Sequence, residues 1–261
     1  MNIEDFISTI PFSSGCEVLS YDQCGVIAIY KKAGRASHPN KDRNPNAKPS
    51  MIHAKYNFEK EYFSWTLEDE TKCRLWLINR LDSPTSGVIL AATSQEIADA
   101  AKLAFKERKV EKIYHAICIA KNPPRFGHWR DIISEKTYGK YVRSSTGHKT
   151  SGGAKIAEAD FKVEAYDKRN LGVSLVRLTP KTGITHQLRV QCTQHHMPIL
   201  GDATYGDFLI NKKIRSITKI NRLFLHCSET SLSINVNGKE IKFSALAPLP
   251  ESFIKTMNPE R

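Results

Sequence analysis

The chain has 261 residues, 40% of them hydrophobic, with 39 Lys and Arg against 27 Asp and Glu, a formal charge of +12 and a pI near 9.4. That is enough apolar material for one proper core, and the basic excess points to a polyanionic partner more readily than to an acidic small molecule. No apolar stretch approaches the ~18 residues that span a bilayer, the acidic start lacks the order of a secretion signal, and six cysteines without a C-x-x-C pair fit a reducing compartment, so a soluble cytoplasmic protein is expected.

Residues 17–31 predict a hairpin: Glu17 to Tyr21, a turn at Asp22-Gln23-Cys24-Gly25, then the apolar run from Val26 to Tyr30. Residues 33–57 carry Gly34, Pro39, Pro45 and Pro49, and Lys31 to Lys55 holds seven Lys and Arg against the single Asp42. This basic loop is either a solvated linker or a contact for phosphates.

Two apolar runs, Leu75 to Ile78 and Val88 to Ala91, have the length and composition of buried strands. They flank Asn79-Arg80-Leu81-Asp82-Ser83-Pro84-Thr85-Ser86-Gly87, a polar turn that places an arginine and an aspartate where core meets loop. An isolated Arg-x-Asp of this kind reads first as a surface turn in which the aspartate caps its own backbone. A helix follows over about Ser94 to Lys109, with Thr93 as N-cap and Glu96 completing a capping box. The strand from Val110 to Ala120 sets Tyr114, Ala116 and Cys118 on one face; Tyr114 faces either a site or the core.

Residues 121–153 interleave Arg125, Arg130, Lys140, Arg143 and Lys149 with Phe126, Trp129, Tyr138 and Tyr141, which reads as a loop-rich grip on nucleic acid or as an irregular β excursion. Strands over about 154–166 and 172–178 lead to Thr182-Gly183-Ile184-Thr185-His186-Gln187-Leu188-Arg189, where Thr185 would cap a helix running to about His196 with Arg189 on its second turn. Gly201 to Gly206 is a glycine-bounded loop, and Asn211 to Arg222 holds five Lys and Arg and no acid. A closing hairpin turns at Asn237-Gly238. Strands joined by hairpins, with two or three helices, define an α+β class with a largely antiparallel sheet.

The nine histidines show no H-E-x-x-H and no ligand spacing with cysteine, so no metal is expected. There is no P-loop, no G-x-G-x-x-G and no G-x-S-x-G elbow, which argues against the commonest nucleotide cofactors and leaves a basic surface with an Asp, two Arg and a Tyr.

Taken together, Arg80-Leu81-Asp82-x-x-Thr85-Ser86-Gly87, Lys112-x-Tyr114-x-Ala116, Thr182-Gly183-x-Thr185-His186-Gln187-Leu188-Arg189, Pro198-Ile199-x-Gly201-Asp202-x-x-Tyr205-Gly206 and Leu225-His226 resemble, in order, the motifs of the RluA family of RNA pseudouridine synthases. The resemblance covers about residues 17–250 of what is expected to be one catalytic domain over 1–261, without the separate N-terminal RNA-binding module that many relatives carry. It implies the pseudouridine synthase fold, a mostly antiparallel bisected sheet flanked by a few helices and loops. It also implies isomerisation of particular uridines in ribosomal or transfer RNA with no cofactor, by a protein expected to be monomeric.

By position, the resemblance makes Asp82 the essential carboxylate, buried, attacking or deprotonating the sugar; Arg189 its partner; Tyr114 the ring stacked on uracil; and Arg80 the side chain entering the RNA stack. Thr85, His186, Gln187 and Leu188 are the further substrate-binding positions it implies. Three positions depart from the family pattern: Asn79 and Gln191 stand where histidine is usual, and Ile184 where arginine is usual. The second reading, from a different class, is an RNA-binding or chaperone protein on the same fold without catalysis. A hydrolase that excises the base with Asp82 comes third.

Overall fold

The run Ser86-Gly87-Val88-Ile89-Leu90-Ala91-Ala92 forms a strand in which every residue is buried, as a continuous apolar run requires when both faces of a strand are covered. Around it, the computed structural model describes residues 1–40, 48–120, 122–138, 141–146, 154–167 and 171–258, with the side chains of 135–138 and 141–143 outside that description. Among the described residues there are thirteen strands and five helices, and the chain divides into two compact units: Met1–Glu111 with Cys227–Ala247, and Lys112–His226 with Pro248–Arg261.

In the first unit, β3 (Lys55–Asn57), β4 (Tyr62–Thr66), β5 (Lys72–Leu77), β6 (Ser86–Ala92) and β12 (Leu225–Val236) lie side by side in that order. β2 (Val26–Lys31) pairs with β6, β1 (Glu17–Tyr21) with β2, and β13 (Lys239–Leu246) with β12. The pairings β1–β2, β2–β6, β3–β4, β4–β5, β5–β6 and β12–β13 are antiparallel. α1 (Ile3–Ser8) opens the unit, and α2 (Gln95–Lys106) buries Ile97, Ala98, Ala101 and Ala104. Ser94, not Thr93, is the N-cap of α2: its side chain accepts from Ile97 N at 3.3 Å, since the extended backbone at Ser94 aims the hydroxyl at that amide. Asn237 and Gly238, both at positive φ, close the β12–β13 hairpin as an Asn-Gly turn should.

In the second unit the order is β7 (Val110–Ile119), β11 (Val173–Pro180), β10 (Ala154–Asp167), β8 (Phe126–Tyr138) and β9 (Tyr141–Thr146), all neighbours antiparallel. α3 (Gln187–Gln194), α4 (Phe208–Thr218) and α5 (Glu251–Met257) belong to it. The α+β class and the mostly antiparallel sheet are as expected, with five helices among the described residues rather than two or three.

Two stretches had more than one reading in the sequence. The described residues 126–138 and 141–146 are the β excursion, the paired strands β8 and β9, because Trp129 and Ile133 turn inward from β8 and pair across to Ala159 and Lys155 on β10. Trp129 is a core ring, stacked on Phe161 at 4.5 Å and His195 at 4.8 Å, and not a platform for bases. Lys140 and Lys149 lie outside the described residues, as do the side chains of Tyr138, Tyr141 and Arg143. Residues 48–57 of the basic loop are packed, with Met51 and Ile52 buried and Ala36 bridged to Ser50, whereas 41–47 lie outside the described residues.

Candidate active site

In the first unit the strand exit after β5 is closed by Asn79, whose Oδ1 accepts from Leu90 N at 2.7 Å, next to the backbone bond from Ile78 N to Leu90 O at 3.0 Å. An asparagine at this position therefore continues the β5–β6 ladder by one side-chain bond. Thr85 N then donates to Asp82 O at 3.0 Å, folding 82–85 into a turn. At the end of that turn Gly87 sits at φ +119°, and a Cβ there would come within 2.0 Å of the Cys227 carbonyl oxygen, so only glycine fits.

The turn is anchored on both sides. Ser37 Oγ donates to Leu81 O at 2.7 Å and accepts from Leu81 N at 3.1 Å, pinning the residue between Arg80 and Asp82. Lys31, with no solvent exposure at the end of β2, donates from Nζ to Arg35 O at 2.7 Å, Ser83 O at 3.1 Å and Lys32 O at 3.4 Å. A buried ammonium needs such acceptors, and by taking them from two loops it ties 32–35 to 82–85. Asp82 itself is half-buried, a correction to the buried position expected: the turn that holds its backbone carries it at the rim of the core rather than within it.

Arg80 is exposed and its Nη1 lies 3.1 Å from His38 Nε2. A guanidinium only donates, so His38 Nε2 accepts, and the ring proton is then on Nδ1, 2.8 Å from the Pro39 carbonyl. His38 stacks on Tyr56 at 5.1 Å and meets Phe58 edge-on at 5.9 Å. Burial, only partly offset by the Pro39 carbonyl, lowers the imidazole pKa, as does the Arg80 charge, which favours the neutral ring this geometry needs. Burial likewise pushes the Tyr56 phenol up to about 12, so that ring is a neutral neighbour.

In the second unit Tyr114 is half-buried on β7, opposite Leu178 of β11, and packs against the core. The 182–187 loop is shaped by Gln187, whose Oε1 accepts from Thr182 Oγ1 at 2.7 Å and Ile184 N at 3.2 Å while its Nε2 donates to Glu158 O at 3.0 Å and Gln191 Oε1 at 3.1 Å. Gln191 passes the chain on to Asp131 at 2.8 Å, and His195 Nε2 lies 3.1 Å from the same carboxylate. Ile184 packs against a small apolar cluster of Ile133, Ala157 and Val190. All three departures from the family pattern thus have local partners, Asn79 in the ladder, Ile184 in the cluster and Gln191 in the amide chain.

The N-cap of α3 is His186 rather than Thr185, and the helix ends at Gln194, which puts Arg189 in the first turn. The reason is the left-handed backbone of His186, φ 57°, with its Nδ1 held 2.8 Å from Tyr205 Oη. A non-glycine residue adopts that conformation only when its surroundings hold it there. Tyr205 Oη also accepts from Ser144 N at 3.1 Å, and Ser144 Oγ donates to Thr185 O at 2.7 Å, so β9 is stitched to the same loop.

Arg189, 5% exposed, donates from Nε and Nη2 to the two oxygens of Asp202 at 2.7 and 2.8 Å and lies 5.0 Å from the centre of the Tyr205 ring. Burial alone would raise the Asp202 pKa, but the guanidinium and the amides of Tyr205 and Thr204 outweigh it and hold the carboxyl below the usual range. Bidentate geometry with the remaining lone pairs satisfied is the condition under which a buried ion pair holds its place. A guanidinium has five N–H hydrogens and can serve a further acceptor besides Asp202.

The expected site residues fall by sequence into the two units: Arg80, Asp82 and Thr85 in the first, Tyr114, His186, Gln187, Leu188 and Arg189 in the second. Thr85, Gln187 and Leu188 are buried, at 2%, 4% and 6% exposure, and Leu188 belongs to the core of its unit. Lys31, Ser37, His38 and the Asp202–Tyr205 pair had no assigned part from sequence. Asp202 and Tyr205 carried a signal as members of the 198–206 motif, and Lys31 as a lysine closing an otherwise apolar strand.

A family model described as RNA pseudouridylate synthase matches residues 25–194, and the chain belongs to that family, a class of RNA-modifying isomerases. It is 28% identical over 236 residues to a tRNA pseudouridine synthase C of Yersinia pestis, covering 88% of this chain and 85% of that one. It is 30% identical to a tRNA pseudouridine synthase C of Pasteurella multocida (86% and 89% covered) and 32% identical to a ribosomal large subunit pseudouridine synthase C of Rickettsia felis (89% and 68% covered). The chain spans about half, 51%, of a further tRNA pseudouridine synthase C, from Pectobacterium carotovorum. The solved structure of human RNA pseudouridylate synthase domain containing 4 shares the fold, with a TM-score of 0.62 at 22% identity over 92% of this chain and 91% of that one. No helix among the described residues is long and apolar enough to cross a membrane, and none of the six cysteines is in a disulfide.

Proposed function

We propose that the protein converts particular uridines in structured transfer or ribosomal RNA to pseudouridine, with Asp82 as the essential carboxylate. The N1–C1′ bond of the nucleotide breaks, the uracil turns, and a bond forms from C5 to C1′ as the C5 proton leaves and N1 gains one. The reaction is an isomerisation with no net redox change. Asp82 attacks the sugar or deprotonates it, and either role needs an ionised carboxylate within reach of a nucleotide.

The observation that best supports this reading is the placement of Asp82: half-exposed, on a turn whose backbone is held by Ser37 from one side and Lys31 from the other. A carboxylate so fixed loses little freedom when it reacts. In the same proposal Arg80 enters the RNA stack, Tyr114 stacks on the uracil, Arg189 orients the anionic groups of the site, and Thr85, His186, Gln187 and Leu188 frame the nucleotide. The two units act as one catalytic domain, working as a monomer in the cytoplasm.

Transfer RNA is the first substrate to try, since relatives named for it match over most of their length. The test is chemical mapping of pseudouridine in unmodified tRNA and rRNA transcripts after incubation with the protein. Site-specific product with the wild type, lost in Asp82→Asn with RNA binding retained, is the expected result. Full activity in Asp82→Ala would sink the assignment of Asp82, and RNA binding with no product would favour the non-catalytic reading.

A further inference from the structure

Helix α4 was read from sequence only as a basic, acid-free segment, yet it carries large apolar side chains in water. Phe208 is 65% exposed, Leu209 82% and Ile217 52%, and Ile214 alone is buried among the residues of the helix. Between Asp207, whose Oδ1 caps the helix by accepting from Ile210 N at 2.9 Å, and Glu229 there is no acid, while Lys212, Lys213, Arg215, Lys219 and Arg222 give five positive charges.

The geometry sorts these residues. Phe208, Lys212 and Arg215 stand at i, i+4 and i+7 and so share one helix face. These residues line, together with Gly201, Asn221 and Arg222, a groove of about 260 Å³. Arg222 is set in place: its guanidinium lies 5.2 Å from the centre of the Phe253 ring and 5.9 Å from that of Phe224, and its Nε donates to Leu223 O at 3.0 Å. Asn211 fastens the helix to the 201–202 loop, accepting from Gly201 N at 2.7 Å and donating to Asp202 O at 3.0 Å. The helix is thus a rigid, anchored element with a ring and two cations directed along one groove.

We infer that α4 is an RNA-gripping element: Phe208 takes a base by stacking while Lys212, Arg215 and Arg222 take phosphates of the substrate RNA. A groove of this size is below the roughly 300 Å³ at which clefts for whole small ligands begin, so it suits a backbone passing along it rather than a ligand swallowed whole. Charge settles the class of partner: an acid-free run with an exposed ring one turn ahead of its cations matches a polyanion that also offers flat apolar faces, and single-stranded nucleic acid is such a polymer. An exposed aromatic beside lysines has no comparable partner on a bare anion. The inference rests on RNA as substrate but adds the place and manner of the grip.

The experiment is fluorescence anisotropy of a labelled tRNA transcript across a series of KCl concentrations, beside pseudouridine formation on the same RNA. Lys212→Ala/Arg215→Ala is expected to flatten the slope of log Kd against log[KCl] by about 1.5, two phosphate contacts at roughly 0.7–0.9 each. Phe208→Ala is expected to weaken binding about 5- to 100-fold at every salt, with Phe208→Trp close to wild type. These side chains are exposed, so melting temperatures should not move, and the activity loss should lie in KM with kcat at saturating RNA unchanged. Wild-type slope and affinity in both variants, with the wild-type protein making pseudouridine, would overturn the inference and leave α4 to another partner such as an acidic protein. Weakened binding in the variants with no pseudouridine from the wild type would sink the activity and leave the grip standing.

Discussion

The guanidinium of Arg80 is held at 3.1 Å by the neutral imidazole of His38, 42 residues earlier in the chain. The acceptor is a nitrogen that exists as an acceptor only while the ring is uncharged, so the resting position of the arginine depends on pH.

Protonation of His38 should release Arg80. The groups facing the ring are Tyr56, Phe58, Arg80 and Glu61, and of these burial and Arg80 disfavour the imidazolium. A histidine whose folded pKa lies below the ordinary 6.5 stabilises the fold fully above that value and loses the contribution as pH falls from 6.5 through its lowered folded pKa. Stability followed by urea titration, and kcat/KM for RNA, should both decline over that acid window. His38→Gln, which keeps an acceptor but cannot titrate, should remove this limb, while His38→Ala should raise KM about 5-fold, the worth of one hydrogen bond of about 1 kcal/mol. An unchanged acid limb in the Gln variant would refute the coupling.

Asp202→Asn should be among the most destabilising single changes in the second unit. It strips the counter-charge from Arg189, 5% exposed, and the cost of leaving a buried ion unpaired is about 3–5 kcal/mol. Because the Asp202 carboxyl is held below its ordinary value, its contribution is complete above about pH 4 and is lost as pH falls below that through its lowered folded pKa. Chemical denaturation at neutral and acid pH should show the wild type converging on the variant only in acid.

Lys31→Met keeps the stem of the side chain and removes the ammonium. The Arg35 carbonyl loses its Lys31 donor and the Ser83 carbonyl keeps only Gly34 N at 2.8 Å, and an acceptor left without its donor costs about 1–3 kcal/mol. Since those carbonyls belong to the two loops beside Asp82, pseudouridine formation should fall further than the melting temperature suggests. Hydrogen exchange should locate the added motion at 32–35 and 82–85.

Restoring the usual family residue with Ile184→Arg should not improve the protein. Ile184 packs against Ile133, Ala157 and Val190, and replacing it puts a charged head beside apolar side chains at a cost of about 1–3 kcal/mol. Differential scanning calorimetry would show a lower melting temperature, and a rise in both stability and kcat/KM would contradict the packing account.

How much of this was legible beforehand depends on the range of the interaction. The β1–β2 hairpin, the buried strands on either side of 79–87, the strand holding Tyr114 and the Asn237-Gly238 turn follow from short-range period and turn chemistry, and the ordered motifs were enough to place the chain in its family. One helix cap was displaced by a tertiary bond: His186 takes the N-cap of α3 because Tyr205, 19 residues on, holds its ring, and no local propensity encodes that. Helix α4 was not read as a helix because only Ile214 of its apolar residues is buried while Phe208, Leu209 and Ile217 are exposed, so the segment shows its basic charge before its apolar side, and Asn211 adds an anchor to the 201–202 loop that no local pattern encodes.

For Asn79-Arg80-Leu81-Asp82, the sequence alone determined residue types, order and the flanking strands, and through them the class of chemistry. Only the tertiary structure decided how those residues are held: Ser37 and Lys31 around the backbone, His38 on Arg80, and, in the second unit, Asp202 on Arg189. Each of those partners is 13 or more residues away, and a hydrogen bond or ion pair at such range exists only once the packing of strands has brought its two ends within about 3 Å.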